Sequence, residues 1–296
     1  QRGNVALSNS VVKYGACDRW GMYPNVSSTH SATSSQATVT WSESGNAIGW
    51  TAVTTVQAGQ MLTRQFIESS NVRHLTGKKL TCSFKVFHDV GADVSVNVLT
   101  LKPNSKDNFA STTDLTSNTT IATAASGVVT EVSYTWPNAL TAADCVNGFC
   151  VTIQLATSNS VTNKNFYVAD LQLEEGSVAT DFEHRSYGEE LQLCKRYWRR
   201  DVYRTGILPW AGSAGGTSQV TWPLNPEMRG SPTISTNATP SYSNILGTAG
   251  PVGQTGTSTS DAVSRGATAN GVYISNNASG STLYAVTADL TADAEL

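Results

Sequence analysis

Two pairs of adjacent glutamates, Glu174-Glu175 and Glu189-Glu190, are the side chains best suited by type to acid–base chemistry. Enzymes that hydrolyse glycosidic bonds place two carboxyl groups across one bond, about 5–9.5 Å apart. Neighbouring residues point to opposite faces of a strand and lie about 100° apart around a helix, so neither pair can face a single bond. Four further acids could meet only through the fold, and nothing in their spacing requires it: Asp18, Glu68, Asp170 and Glu183. We therefore assign no catalytic residue and expect no enzyme.

Other motifs for enzymatic or cofactor chemistry are missing from the sequence. No G-x-S-x-G elbow for a serine nucleophile occurs, and the glycine-rich residues 212–216 lack the lysine that a phosphate-binding loop requires. The net charge is −3 without a basic stripe, so electrostatics give no reason to expect nucleic acid. No apolar run approaches the roughly 20 residues that cross a bilayer. The sequence predicts no cofactor, no nucleic-acid partner and no membrane insertion.

Cysteine, histidine and aspartate give little support for a metal site. The five cysteines are scattered, no C-x-x-C occurs and the four histidines are far apart, so we expect no metal. Cys145 and Cys150 flank Asn147-Gly148, a turn signal that could bring the two thiols together as a disulfide. A reducing compartment would instead leave both thiols free. Asp170 could help hold a structural calcium, but an ordinary hydrogen-bonded aspartate is the favoured interpretation.

Aromatic residues carry the signal for ligand binding. Seven tryptophans and ten tyrosines occur in a chain with only 14% charged residues, and flat rings can stack on the faces of sugars. Trp50 follows the turn region 45–49, Trp210 lies in a Pro-Trp-Ala-Gly loop, and Tyr242 lies in Pro-Ser-Tyr-Ser-Asn. These three are the candidate carbohydrate-binding residues. Packing in a core or between subunits is the alternative that the residues alone leave open.

The elements that would position these residues are mostly strands. Apolar and polar side chains alternate in several runs, the pattern of a strand with one buried face. The runs are residues 37–41, 80–87, 93–100, 128–136, 149–155 and 166–173. Turn clusters separate them, and no long helical period competes. The sequence predicts an all-β chain whose residues 1–187 form an antiparallel jelly-roll β-sandwich.

A short helix and a second β-domain follow the predicted sandwich. Residues 188–200 read as a connecting helix, with glutamates at its start and basic residues at its end. Its apolar stripe contains Leu191, Cys194, Tyr197 and Trp198, which we expect to pack on the sandwich or on the same helix of neighbouring subunits. Residues 201–296 contain no lysine and many turn residues, and we expect a small C-terminal β-domain there.

Four passages, in order, resemble a module near the C-termini of bacteriophage tail fibres and related virion proteins. Residues 1–20, with QRG and then YGACDRW, are similar to its opening "QR…Y…DRW". Arg64-Gln65-Phe66-Ile67-Glu68 resembles its central strands, and residues 166–200, FYVADLQLEEGSVATDFEHRSYGEELQLCKRYWRR, resemble its closing segment. Residues 222–233, with Met228-Arg229 and Pro232-Thr233, are similar to the passage that follows. The resemblance covers the chain to about residue 235.

The resemblance implies a structural or receptor-binding part on the surface of a phage particle, made in the host cytoplasm. Its partners would be two identical chains in a trimer, other virion proteins and a host-surface polysaccharide. Closed symmetry would also cover the many strand edges of a sparsely charged β-chain. Because the chain begins with Gln1, we expect a processed product or the end of a longer protein.

Two alternatives to receptor binding stay open at this point. The chain could be a purely structural part that trimerises and caps a fibre or decorates the head or tail. It could also be the non-catalytic C-terminal part of a tailspike depolymerase whose catalytic domain lies upstream.

Overall fold

A computed structural model describes residues 3–17, 19–27, 29–208, 218–236, 241–244, 256–257, 262–268, 271–276 and 284–294. The chain divides into two compact units, Gln1–His184 and Arg185–Glu295. Both are built mainly from β-strands, which confirms the predicted all-β class. The division falls slightly before the boundary expected at residue 187, and the helix belongs to the second unit. No helix in the described ranges is long and apolar enough to span a membrane.

The first unit is an antiparallel sandwich, with thirteen strands among its described residues. The strands are β1 Val5–Ala6, β2 Lys13–Tyr14, β3 Trp20–Asn25, β4 His30–Thr38, β5 Asn46–Thr55, β6 Gln60–Ile67, β7 Leu80–His88, β8 Val94–Ser105, β9 Asn108–Asp114, β10 Thr119–Ala124, β11 Thr130–Thr135, β12 Phe149–Ala156 and β13 Val161–Glu175. Sheet I has the order β1-β4-β5-β13-β7-β11. Sheet II has the order β10-β8-β12-β6-β3-β2, and β9 pairs with the far end of β8. Two 3₁₀ turns, Ser69–Asn71 and Arg73–Leu75, and the helix α1, Ala142–Cys145, complete the unit.

The core lies between the two sheets and is built by period-two alternation. In β12 the core-facing residues are Phe149, Val151, Ile153 and Leu155, and all are buried. Strands β7, β8 and β13 contribute aliphatic and aromatic side chains in the same way. Burial of one such side chain stabilises the fold by about 1.5–3 kcal/mol. The alternation read from the sequence at 80–87, 93–100 and 149–155 therefore corresponds to real strands with one face in this core.

The structure contradicts the prediction that Trp50 binds carbohydrate. It lies in the middle of β5 and is 0% exposed, with its indole Nε1 donating to Thr63 Oγ1 at 3.1 Å. The turn expected across residues 45–49 ends earlier, because β5 begins at Asn46. Gly49 is part of that strand, and a Cβ there would lie 2.4 Å from Ser35 Oγ on β4 and 3.1 Å from the ring of Tyr167 on β13. The glycine makes room for a cross-strand aromatic ring, so Trp50 is a core residue.

Asp170 fastens the turn between β4 and β5 to sheet I. Its backbone has a φ of +49°, and its carboxylate accepts hydrogen bonds from the backbone N–H groups of Glu43 (2.8 Å) and Ser44 (3.1 Å). Lys85 Nζ lies 3.1 Å from the same carboxylate. Burial raises the pKa of Asp170, but these donors outweigh burial and hold the pKa below its usual value of 3.8. The interpretation of Asp170 as a hydrogen-bonded aspartate is confirmed.

All five cysteines are free thiols, so Cys145 and Cys150 form no disulfide. Cys145 ends the helix α1, whereas Cys150 lies in β12. The Asn147-Gly148 turn therefore joins a helix to a strand, and the hairpin that would have brought the thiols together is not formed. Burial raises the pKa of Cys150 to about 12, so this thiol stays protonated at neutral pH.

The described residues of the second unit form one helix and eight strands. They are α2 Tyr187–Lys195, β14 Trp198–Leu208, β15 Ser218–Pro223, β16 Thr233–Thr236, β17 Ser241–Asn244, β18 Gly256–Thr257, β19 Ala262–Thr268, β20 Gly271–Asn276 and β21 Tyr284–Asp293. Strand β21 is central and pairs with β14, β16 and β17. A second sheet has the order β15-β20-β19. Trp222, Leu224, Met228 and Leu290 form the centre of a small core.

Helix α2 is shorter at its C-terminal end than the sequence predicts. Ser186 and Glu189 form a reciprocal capping box at its start, and the helix ends at Lys195. Trp198 therefore belongs to β14, where it pairs with Asp293. The turn to the strand is fixed by Tyr197, which is buried and whose carbonyl accepts from Ala294 N–H at 2.8 Å. The pairing of β14 with β21 thus ends the helix, and Tyr197 and Trp198 do not extend its stripe.

We predict that Asp170→Asn lowers the free energy of unfolding by about 2 kcal/mol near neutral pH, because hydrogen bonds to a charged group contribute about 1.5–3 kcal/mol. A carboxylate whose pKa is lowered by folding stabilises the fold fully at pH values above its unfolded-state pKa, 3.8. This stabilisation is lost as the pH falls through the folded-state pKa. The difference between variant and parent should therefore shrink as the pH falls below 3.8. Urea unfolding at several pH values measures it.

The matched control is Glu175→Gln, which removes an exposed ion pair with Lys78 at 2.7 Å. We expect a loss of less than about 1 kcal/mol there. Equal losses for both variants, or a loss at Asp170 that is independent of pH, would contradict the role given to Asp170.

Candidate functional site

The outer face of sheet II is buried, which is unusual for the outward face of a two-layer sandwich. In such a fold each sheet turns one face to the core and the other away from it. Four residues that alternate with core positions are nevertheless little exposed: Tyr23 9%, Leu62 4%, Asn97 7% and Gln154 3%. We call the surface formed by these four residues with Leu99, Thr152 and Arg64 the outer-face recess.

Strand register places these residues in two adjacent rows. The first row crosses four strands and consists of Asn97 (β8), Gln154 (β12), Leu62 (β6) and Tyr23 (β3). The second row consists of Leu99, Thr152, Arg64 and Gly21 on the same strands. Directly opposed side chains in an antiparallel sheet are about 4.5–5.5 Å apart at Cβ. Residues from four distant parts of the sequence therefore form one continuous surface.

The margin of the sheet shields the recess. The ring of Phe109 on β9 lies 4.7 Å from the ring of Phe66 on β6, so β9 folds over this face. Asn118, between β9 and β10, donates from Nδ2 to Gln154 Oε1 at 3.2 Å. These contacts come from the edge that β9 and β10 form on β8. They explain why an outward face is protected from solvent.

Arg64 and Tyr23 form a cation–π pair at the centre of the recess. The guanidinium carbon of Arg64 lies 4.8 Å from the centroid of the Tyr23 ring. Burial raises the pKa of Tyr23, Arg64 opposes the rise, and Cys150 and Asp114 add to it. The phenol is thus neutral at physiological pH and can donate its proton in a hydrogen bond. The influence of Asp114 places the end of β9 near this ring.

Three buried polar atoms in the recess have no hydrogen-bond partner among the described residues: Arg64 Nε, Asn97 Oδ1 and Gln154 Nε2. Leaving a buried donor or acceptor unpaired costs about 1–3 kcal/mol. Two donors and one acceptor lie unpaired in adjacent rows beside an aromatic ring and two leucines. A ligand with hydroxyl groups supplies both donors and acceptors, so this arrangement suits a polyhydroxylated molecule.

The side chains of the recess are uncharged apart from Arg64. Its seven residues include no carboxyl group, and Asp114, whose charge contributes to the raised pKa of Tyr23, is exposed. The Cys150 thiol on the same face is fully buried and protonated at neutral pH. Cleavage of a glycosidic bond needs two facing carboxyls, which this surface does not present.

Each glutamate of the two adjacent pairs has a hydrogen-bond or ion-pair partner in the structure. Glu174 accepts from the N–H and the hydroxyl of Thr180 at 2.9 and 2.6 Å, while Glu189 caps helix α2. Glu175 pairs with Lys78, and Glu190 pairs with Arg185. Glu68 is buried, Glu183 is exposed, and Asp18 lies outside the described residues. In the ranges that the structure describes, no group of three or more His, Cys, Asp or Glu side chains converges.

The remaining predicted site residues are distributed over the second unit. Trp210 lies outside the described residues, and Tyr242 is described only as part of β17, where it pairs with Val286 and Gly256. Leu191 and Cys194 on α2 are half-buried. No residue of the outer-face recess was among the predicted sites. The one signal in the sequence is a polar side chain at an outer position of a strand whose neighbours are apolar, as Gln154 is in β12.

Comparisons with known proteins identify no family. No family model matches the chain, and no curated protein matches it significantly. Among solved structures, a carbohydrate-binding module of the β-sandwich superfamily matches 53% of this chain and 58% of its own at 12% identity and TM-score 0.38. The enzymatically active domain of tailspike protein 4 of bacteriophage CBA120 matches 53% of this chain and 19% of its own length, with 9% sequence identity and a TM-score of 0.33. A xylan-binding module from Paenibacillus barcinonensis matches 53% of this chain and 92% of its own length, with 13% sequence identity and a TM-score of 0.33. Likenesses this low carry no argument about ligand or assembly.

We predict that Gln154→Met changes the free energy of unfolding by less than about 1 kcal/mol, because removal of an unpaired buried amide donor offsets the lost hydrogen bond from Asn118 to Oε1 (3.2 Å), and the volume is retained. The matched control is Gln172→Met. Its amide Nε2 donates to Thr180 at 3.0 Å, and its Oε1 accepts from Glu183 N–H at 2.8 Å, so the same substitution should destabilise by about 1 kcal/mol or more. Chemical denaturation of both variants measures the contrast. A larger loss at Gln154 than at Gln172 would show that the recess amide is satisfied in the free protein.

Proposed function

We propose that this chain is a non-enzymatic part of a phage virion fibre that attaches the particle to a host-surface glycan, acting as a trimer. The outer-face recess is the proposed binding site, and the observation that carries the proposal is its set of unpaired polar atoms. Arg64 Nε, Asn97 Oδ1 and Gln154 Nε2 are buried beside the Tyr23 ring. Sugar hydroxyls would pair with these atoms while a sugar face packs against the ring.

The sequence resemblance supplies the biological setting of the proposal. Its closing segment, residues 166–200, spans the last strand of the sandwich and the helix α2. A virion part that binds through several identical sites would hold the particle by avidity, so modest affinity at each recess would suffice. Attachment then requires no bond cleavage, in keeping with the composition of the recess.

We predict that Tyr23→Ala reduces glycan binding by the purified chain at least about 10-fold, because stacking on an aromatic ring contributes about 1–3 kcal/mol. Binding would be measured on an array of host-envelope and capsular glycans and then in solution with the best ligand. Thermal unfolding of the variant would establish that it is folded.

The matched control for this experiment is Trp41→Ala. Trp41 stacks on Phe87 at 6.2 Å between centroids, on the outer face of sheet I. We expect this variant to bind like the parent. Loss of binding in Trp41→Ala with retention in Tyr23→Ala would move the site to sheet I, and no binding to any host glycan would leave only a scaffold role.

A purely structural role in trimerisation is the second candidate, and helix α2 favours self-association. None of its nine residues is buried, and Tyr187 is 82% exposed. Isolated helices shorter than about 12–15 residues are marginal in water, so a helix this short gains from packing. The same helices of neighbouring chains would supply that packing around Leu191.

We predict that light scattering after size-exclusion chromatography gives a mass of roughly three times the 31.3 kDa of one chain. Leu191→Asp should shift the mass toward one chain, because a charge replaces an apolar side chain in the proposed interface. Gln192→Asp is the control, since the neighbouring Gln192 is exposed. A parent protein with the mass of a single chain would contradict the trimer.

A further inference from the structure

We propose that the glycan bound in the outer-face recess is acidic, and that Arg64 pairs with a sugar carboxylate. This inference rests on the proposed glycan-binding function and assigns the chemical class of its ligand. A uronic acid or a nonulosonic acid would supply the carboxylate, and the neighbouring hydroxyls would meet Asn97 and Gln154.

Arg64 is a half-buried cation without a counter-charge. No carboxylate of the described residues lies within 4.0 Å of its nitrogens, and its buried Nε has no hydrogen-bond partner in those ranges. Several other cations among the described residues are paired with carboxylates. Arg199 lies 2.5 Å from Asp201, Arg200 lies 2.6 Å from Asp289 and Lys102 lies 2.9 Å from Asp144. A charge that is partly removed from water and unpaired gains strongly from an anionic partner.

The geometry around Arg64 holds it ready for such a partner. Its guanidinium lies over the Tyr23 ring, and Thr152 and Gly21 oppose it on the two neighbouring strands. At Gly21 a Cβ would lie 2.5 Å from Val12, so packing requires glycine there. Gly21 itself adds no side chain beside Arg64, and Val12 occupies the space that a Cβ would fill. A planar guanidinium can then donate two parallel hydrogen bonds to a planar carboxylate.

Asp114 limits how much negative charge the recess accepts. It is exposed at the end of β9, and its carboxylate contributes to the raised pKa of Tyr23, so its field reaches the recess. It would repel any anion bound at Arg64, and a doubly charged phosphate more than a singly charged carboxylate. One cation at the centre and one acid on the margin therefore favour a carboxylated sugar over a phosphorylated one.

The test compares each acidic oligosaccharide with its own carboxyl-reduced form, using calorimetry and the full chain. The probes are oligosaccharides of glucuronate, galacturonate and mannuronate, and a sialylated oligosaccharide. We expect at least one acidic probe to bind about 10-fold or more tighter than its reduced form, with the advantage falling as salt is added. Arg64→Gln should abolish the advantage, weakening the acidic form about 10-fold more than the reduced form, which loses only the hydrogen bond to Arg64 Nε. Arg64→Lys should retain part of it, because the charge remains and the paired hydrogen bonds are lost.

Asp114→Asn provides the opposing variant. It should tighten binding of the acidic probe and leave the reduced probe unchanged, since it removes repulsion without altering the recess. The inference is overturned if acidic and reduced forms bind equally, if Arg64→Gln weakens both equally, or if no acidic probe binds. In each of these cases, binding of a neutral host glycan that is lost in Tyr23→Ala would leave the proposed function standing. Absence of all glycan binding would overturn both.

Discussion

The central strands of sheet II bury both of their faces, and most of what is distinctive about the first unit depends on this constraint. Val151, Ile153 and Leu155 of β12 face the core, while the alternating Thr152 and Gln154 face the recess and are equally enclosed. The ladder hydrogen bonds satisfy the backbone of such a strand from both sides. These backbone hydrogen bonds leave the polar atoms of side-chain amides unpaired. An amide placed on a doubly buried strand therefore depends on other side chains or on a ligand.

Carboxylates that accept hydrogen bonds from loop N–H groups keep the margins of the sandwich in place. Asp170 holds the β4–β5 turn, and Asp107 accepts from the N–H and hydroxyl of Ser69 at 2.6 and 3.1 Å. Asp107 lies in the hairpin between β8 and β9, so it fixes the strand that folds over the recess. Because Phe109 on that strand also packs against Phe66, the shape of the recess is set before any ligand arrives. A preformed site loses little conformational entropy on binding.

The sequence allowed the class and many of the strands to be predicted, because one buried face produces a period of two. The predicted runs at 80–87 and 149–155 differ from β7 and β12 by one residue at their C-terminal ends. Prediction failed where a tertiary contact decided the outcome. Gly49 resembles a turn residue until Tyr167 is placed against it, and Trp198 leaves the helix because β21 pairs with it. The recess could not be found from the sequence, since Tyr23, Arg64, Asn97 and Gln154 meet only through the register of four strands.

The unpaired atoms of the recess also explain how binding and stability are related in the proposed function. Groups that weaken the free protein become favourable once a ligand pairs with them, so the ligand removes a penalty as well as adding contacts. Discrimination then follows from the same atoms. A sugar that lacks a matching hydroxyl leaves Asn97 or Gln154 unpaired in a buried place, which is more damaging than the loss of one contact at an exposed site. The Tyr23 ring, by contrast, would accept any sugar face of suitable size, so under the proposed function it would contribute affinity while the buried polar atoms select the ligand.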